Sequence, residues 1–433
     1  MLSDRLAAAL ARRNIHYGWV VAATTFLTML VTAGAVGAPG VFILPLQREF
    51  GWQTSDISSA LAVRLLLFGL MGPFAAALIN RYGLRRIATI ALSLLATGLL
   101  LSLGMMHVWQ LIVLWGLVLG FGTGMTALVL GATVATRWFT ARRGLVVGLL
   151  TASSATGQLV FLPLLASLND HVGWRVSILV VTGAMALAVV AITLLMRDRP
   201  SDVGLPPYGE TTVIPPAAPS AAALSPITAL RDAARTRVFW ILFATFFICG
   251  ASTNGLIQTH FIPLCADFGL PAVGAASVLA MMGIFDFIGT VGSGWLSDRY
   301  DNRFLLLWYY GLRGLSLMVL PFTDFSFYGL SLFAVFYGLD WIATVPPTVK
   351  ITAANFGRER ANLVFGWVFA GHQLGAATAA FGAGLSRTVL ATYLPAFFVA
   401  GALCIIAAVL AVTIAWPGSA AKVAASNLAP AKA

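Results

Sequence analysis

Polar and charged positions are so thinly scattered along this chain that long apolar runs follow one another almost from end to end. Twelve can be drawn, numbered here as spans 1 to 12. Spans 1 to 6 cover residues 19–44, 57–79, 87–106, 111–134, 145–168 and 176–196. Spans 7 to 12 cover residues 238–262, 272–296, 304–322, 328–349, 363–385 and 393–416. About 20 apolar residues make a helix long enough to cross a bilayer. The runs are apolar on nearly every face and lack the alternation of a membrane-spanning strand, which excludes a β-barrel. The expected fold is an all-α membrane protein with 12 transmembrane helices. Gly37, Pro39 and Gly40 sit near the outer end of span 1, where that long run is free to tilt or kink.

Composition agrees with the pattern. Of 433 residues, 59% are hydrophobic and 9% charged, whereas soluble domains carry about 25% charged residues. The three cysteines, Cys249, Cys265 and Cys404, are far apart and form no metal or redox spacing, so no cofactor is expected. A net charge of +11 raises the question of nucleic acid. The placement of the cations answers it. With both termini on the cytoplasmic side, 21 of the 26 Lys and Arg residues fall on that side. Arg48, Arg175 and Arg387 fall on the other, and Arg64 and Arg313 lie within spans. This is the positive-inside signal of an integral membrane protein. The first apolar run starts too late for a cleavable signal peptide, and residues 1–14 read as a short basic amphipathic helix on the cytoplasmic surface.

Residues 198–236 are rich in Pro, Ala, Ser and Thr and contain no spanning run. They read as a mobile cytoplasmic linker. The expected organisation is a six-helix bundle over residues 1–196, a linker over 197–236 and a second bundle with a tail over 237–433. The halves repeat. Asn80-Arg81-Tyr82-Gly83 after span 2 echoes Asp298-Arg299-Tyr300-Asp301 after span 8, with Arg81 and Arg299 218 positions apart. Trp138-Phe139 after span 4 echoes Asn355-Phe356 after span 10, with the two phenylalanines 217 apart. A parallel repeat of six-helix bundles suits an alternating-access carrier.

The loop Asp298-Arg299-Tyr300 through Arg303, preceded by Gly294, resembles the signature loop of the major facilitator superfamily. The first-half copy has Asn80 in the acidic position and Ala76 in the glycine position. Within that superfamily the chain is most similar to the monocarboxylate transporters and the oxalate–formate antiporters. The residues that carry this are Gly18-Trp19-Val20-Val21, Phe50-Gly51-Trp52, Gly173-Trp174-Arg175 and Arg199-Pro200 with Asp202. The resemblance implies the two-bundle fold, and it implies that the loops bearing Asp298, Arg299, Arg303, Asn80 and Arg81 hold an inner gate. It also departs at the usual anion-binding cations. Asp286 matches the family's span-8 acid, but Thr290 stands where its arginine belongs, and His372 occupies the level of the antiporters' span-11 lysine.

Charge in the membrane is costly and functional by default. Arg64, Asp286, Arg313, Asp340 and His372 lie within spans. Two Arg against two Asp balance, so an entering anion would call for a proton on one Asp. That is the physical case for coupling an organic anion to a proton, with Asp340 and Asp286 as proton-coupling groups. Asp286 and Arg313, on consecutive spans, are expected to form a structural pair. Two roles are open to Arg64: contact with a substrate anion, or an ion pair between the halves. Asp340 and Thr344 share a helical face, and Pro346-Pro347 break the backbone ladder just beyond. His372 and Gln373 in span 11, and Asn254 and Gln258 four residues apart in span 7, are candidates for substrate binding or for tying helices together. His260 reads as interfacial. Thr123, Thr126, Ser153, Ser154 and Gln158 are weaker candidates, because such residues commonly bond their own helix.

The expectation is a monomeric secondary transporter of a small organic anion, a carboxylate, moved with protons. A drug or organic-cation efflux antiporter is the alternative of the same fold, disfavoured by the lack of a Gly-Pro core in span 5. A membrane sensor or enzyme is the alternative of another class, and no nucleotide loop, metal cluster or nucleophile–base pair supports it. Lys350, Lys422 and Lys432 are the only lysines, and no Asn-x-Ser/Thr site occurs. Both suit a bacterial inner membrane.

Overall fold

A computed structural model of the chain describes residues 2–37, 39–126, 128–213 and 225–414. The tail, with Lys422 and Lys432, lies outside the described residues, as does the side chain of Asn80. Helices overlie all twelve expected runs. Among the described residues, nine helical stretches are long and apolar enough to cross a membrane. Span 1 is covered by the helical stretches Gly18–Gly37 and Pro39–Phe50. Span 2 is Thr54–Tyr82, span 5 Arg143–Val172, span 8 Ala272–Ser297 and span 11 Arg358–Leu390. Spans 4 and 7 each contain a π-helical stretch, Ile112–Val118 and Ala251–Ile257. Such stretches often mark functional positions.

Helix packing places the site. Span 2 lies along span 11 over much of its length. Near one end the Ser55 amide donates to Thr388 Oγ1 at 3.1 Å. Leu65 packs on Ala376, Ala377 and Ala380, and Phe68 meets Phe369 edge-on with ring centroids 5.9 Å apart. The two helices come close at Gly69, where a methyl group would sit 2.4 Å from Gln373 Cβ. Span 5 packs on span 8, and the end of span 7 packs on Pro39–Phe50.

The outer motifs of the sequence meet one another. Phe50 stacks on Trp52 at 4.4 Å. Trp174 Nε1 donates to Glu49 at 2.6 Å, and Arg175 forms a 2.5 Å ion pair with the same carboxylate. Arg175 holds the Glu49 carboxyl below its ordinary range.

The linker departs from the expectation of a mobile strap, because both of its ends are docked. Tyr208 N donates to Trp138 O at 2.8 Å, and Tyr208 O accepts from the amides of Thr140 and Ala141. The Tyr208 ring packs against His16, Trp19 and Phe139. His16 Nε2 lies 2.9 Å from Pro206 O. At the other end, the helix Pro226–Ala233 accepts a hydrogen bond from Trp367 Nε1 at Pro226 O, and Arg360 pairs with Asp232. These contacts satisfy backbone groups that a free strap would leave to water.

Candidate functional site

Span 10 is broken at membrane depth. One helix ends at Asp340, a turn occupies residues 341–344, and a second helix runs Val345–Phe356. The cause is local. Pro346 and Pro347 have no N–H, so the carbonyls of Ile342 and Ala343 lose their helical donors. A break in the hydrocarbon region is tolerated when other protein groups take up the freed polar atoms.

Three side chains do this. Arg313 Nη2 on span 9 donates to the carbonyls of Asp340 at 2.5 Å and Trp341 at 3.1 Å. Ser293 Oγ on span 8 donates to Ala343 O at 2.5 Å. The Ile342 amide donates to Asp286 Oδ1 at 2.9 Å, and Thr290 Oγ1 donates to the same oxygen at 3.1 Å. Spans 8 and 10 come close enough for these bonds because Gly289 lies against Leu339; a methyl there would sit 1.8 Å from the Leu339 carbonyl oxygen. The cation thus meets the C-terminal carbonyls of the outer half-helix, and the anion meets an amide entering the inner one, each in the sense the helix dipole favours.

The pairing differs from the sequence expectation. Arg313 forms its ion pair with Asp340, Nε to Oδ2 at 2.7 Å, and not with Asp286. The physical reason is that Asp286 Oδ1 is held by the amide that the break sets free, while Arg313 reaches the break from span 9. Its fourth contact is Nη1 to Cys249 Sγ at 2.9 Å, and Cys249 in turn lies 3.4 Å from Thr344 Oγ1. The second carboxylate oxygen of Asp340, Oδ1, is buried without a partner.

His372 and Gln373 lie on span 11 where it meets spans 7 and 2. His372 stacks on Phe369 and tilts against Phe246. Its Nδ1 has no hydrogen-bond partner, and neither polar atom of the buried Gln373 amide has one. Buried polar atoms are rarely left so. Asn254 lies in the π-helical stretch of span 7, and Gln258 is buried one turn on. His260 is not interfacial. It is fully buried, with Nε2 2.7 Å from Ala380 O of span 11. Thr123, Thr126 and Ser153 donate to carbonyls of their own helices. The side chain of Ser154 lies outside the described residues.

Arg64 stands apart from these groups. It is 3% exposed and borders a cavity of about 10 Å³ lined by Gly34, Phe42, Leu99, Trp115, Leu119, Ile178 and Val181. All of these belong to the first half. The volume suits about one water, so a carboxylate does not fit beside Arg64 in this conformation. Arg64, Asp340 and His372 therefore do not share one chamber here.

At the cytoplasmic loops, Asp298 pairs with Lys350 of span 10 rather than with Arg299 or Arg303. Lys350 holds its carboxyl below the ordinary range. Arg303 pairs with Asp301 at 2.6 Å, and Arg299 lies 4.0 Å over the Trp295 ring. Arg81 lies over Tyr82. In the first half the loop is held instead by Asp198, whose Oδ1 accepts from the Arg85 amide at 2.7 Å. Sequence reasoning missed Cys249, Ser293 and Asp198. For Ser293 the signal was present, a hydroxyl on span 8 beside a double proline on span 10.

Comparison with known proteins adds a lineage. A family model described as the Major Facilitator Superfamily matches residues 25–380. An MFS-type transporter of Bacillus subtilis (strain 168), YcxA, is 22% identical over 382 residues, covering 86% of this chain and 89% of its own. Monocarboxylate transporter 13 of Rattus norvegicus is 28% identical over 389 residues, covering 89% of this chain and 86% of its own. Among solved structures, the nucleoside transporter NupG superposes with a TM-score of 0.73 at 11% identity, covering 92% of this chain and 100% of that one. A bacterial homologue of the human lysosomal transporter Spinster superposes with a TM-score of 0.70 at 14% identity, covering 92% and 95%. At such identities these structures establish the fold.

Proposed function

The chain belongs to the major facilitator superfamily, near its monocarboxylate-transporter group, and is a multi-pass membrane transporter rather than an enzyme; we propose that it carries a small organic anion, a carboxylate, together with protons by alternating access. In this reading residues 1–196 and 237–433 are the two moving bundles, residues 197–236 join them, and both termini lie in the cytoplasm of a bacterial inner membrane. The protein works as a monomer.

The observation that carries the reading is the buried Arg313–Asp340 pair with one carboxylate oxygen left open. A charge balanced at membrane depth, with an atom free to take a proton, is what an electroneutral carrier needs when an anion enters. Gln373 and His372 supply unpartnered polar atoms for the substrate, and Asn254 and Gln258 on the facing span add polar side chains. Arg64 completes the set of buried cations and joins the route when the first half rearranges. The efflux reading needs a free intramembrane carboxylate to hold a cation. Asp340 already holds Arg313, and an amide and a hydroxyl occupy Oδ1 of Asp286, which counts against it.

The test is uptake of short organic acids by proteoliposomes, read beside internal pH. Acid-dependent proton entry is expected, and Asp340→Asn should abolish pH-driven accumulation. Proteoliposomes that move no proton with any organic acid, from a protein whose overexpression confers resistance to cationic compounds, would overturn the proposal in favour of efflux.

A further inference from the structure

The clamp on span 10 has more reach than a static tie. Beyond the break, the arm Val345–Phe356 carries Lys350, about 8 Å along it at 1.5 Å per residue, and Lys350 closes on Asp298 at the cytoplasmic end of span 8. The arm is thus fastened at two points. At its root it is held by Arg313, Ser293 and Asp286, and midway along by Asp298. Across the turn the backbone keeps the bonds Trp341 N to Gly338 O and Val345 N to Ile342 O, while the proline pair removes the donors that would reach Ile342 and Ala343.

We propose that Arg313, Asp286 and Ser293 are positioning residues that hold span 10 open at Trp341–Thr344, that the charge on Asp340 sets how firmly Arg313 does so, and that release lets the arm swing and part Lys350 from Asp298. One guanidinium serves both tasks. Nε meets the Asp340 carboxylate while Nη2 meets the carbonyls of Asp340 and Trp341. A proton on the open Oδ1 removes the charge that orients the guanidinium, and the two carbonyl bonds lose their anchor. The proton has few competitors. Charged or titratable groups within electrostatic range of the pair are Cys249 on span 7, Asp286 on span 8, Tyr309 and Tyr310 on span 9, Tyr337 on span 10, His372 on span 11 and Cys404 on span 12. Among these described groups, Asp286 is the one other carboxylate, and an amide and a hydroxyl already occupy its Oδ1.

The inference rests on the reading of Asp340 as the proton-accepting group, and its test needs no substrate. Thr352 is fully buried on the arm, and Ala354 two residues on is exposed. The three native cysteines are buried. Single reporters Thr352→Cys and Ala354→Cys are labelled with a soluble maleimide in proteoliposomes at pH 7.5 and pH 5.5. The ratio of the two rates cancels the intrinsic pH dependence of a thiol. It is expected to rise about tenfold on acidification. Asp340→Asn should hold it high at both pH values. Arg313→Lys, which keeps the charge but loses the fork, should do the same. Asp286→Asn should raise the ratio yet leave it responsive to pH, and it decides the matter if Asp340→Asn does not fold. A pH-invariant ratio in the parent reporters, or a low ratio in both Asp340→Asn and Asp286→Asn, overturns the proposal. Acid-responsive labelling in a protein that moves no organic acid would sink the transport reading and leave this one standing.

Discussion

Arg313→Met is the sharpest perturbation of this fold. The side chain is 1% exposed and makes one ion pair, two bonds to carbonyls and one contact to a thiol. Methionine fills similar volume without charge. It leaves the Asp340 carboxylate buried and uncompensated, and two carbonyls at the break lose a donor. Removing one partner of a buried pair costs about 3–5 kcal/mol. Each orphaned polar group alone is worth about 1–3 kcal/mol, so the same range bounds the sum once the site relaxes. At about 1.4 kcal/mol per tenfold, the folded-to-unfolded ratio should fall by roughly a hundredfold or more. Asp340→Leu should cost a similar amount, because it leaves the Arg313 guanidinium buried without its counter-ion. The double variant Arg313→Met with Asp340→Leu should recover the part of the cost due to the uncompensated charge and keep about 1–3 kcal/mol for the carbonyls left without a donor. The assay is equilibrium unfolding in mixed micelles, and the quantity is the coupling energy of the double-mutant cycle. Single variants that each cost under about 1 kcal/mol and simply add would refute the reasoning.

Three further outcomes follow from the geometry. Gln373→Leu removes two buried atoms without partners, so stability should hold or rise by up to about 1–3 kcal/mol while organic-acid uptake falls at least tenfold; a loss of stability would show that the amide ties helices together. Gly69→Ala drives a methyl to 2.4 Å from Gln373 Cβ and should destabilise this conformation by about 1–3 kcal/mol, seen as a lower melting temperature. Lys350→Gln should matter in a defined pH window. The Asp298 carboxyl is held low by Lys350, so the pair's stabilisation is present above the ordinary aspartate value of about 4 and is lost as pH falls through the lowered one; melting curves of parent and variant should differ at pH 7 and converge at acid pH.

What the sequence could show follows from what each property depends on. A span depends on its own length and apolarity, so all twelve runs were legible, as was the division of span 10 at Pro346-Pro347. Partner choice depends on the angle at which two helices meet, and one sequence carries no such angle. Arg313 could be placed at mid-depth, yet whether it faced Asp286 or Asp340 turned on how span 9 rotates against the break. Arg64 illustrates the same limit within one helix. Leu65, its neighbour, faces span 11, but successive residues differ by about 100° around a helix, and Arg64 turns into the first-half interior. The docked linker was hidden for another reason. At its first end the grip centres on one tyrosine and three backbone bonds, and a lone aromatic in a Pro-rich stretch gives no periodic signal.

The repeat explains why the buried charges gather where they do. The offsets of the repeat carry the clamp residues back onto the first half. With the offset of 218 that relates Arg81 to Arg299, Asp286 falls on Phe68 and Ser293 on Ala75, and with the 217 that relates Phe139 to Phe356, Arg313 falls on Ala96 and Asp340 on Thr123. The proline pair falls on Val129 and Leu130, both of which keep a backbone N–H. Thr123, at the position of Asp340, bonds carbonyls of its own helix. So the half without the prolines also lacks the carboxylates, the hydroxyl and the guanidinium that serve the break. Residues that merely lined a shared substrate path would be expected on both halves, facing each other across it. Residues that satisfy freed backbone are needed only where the backbone is freed. On that reasoning the charges of the second half belong first to the shape of span 10, and the proton coupling proposed for Asp340 would work through that shape.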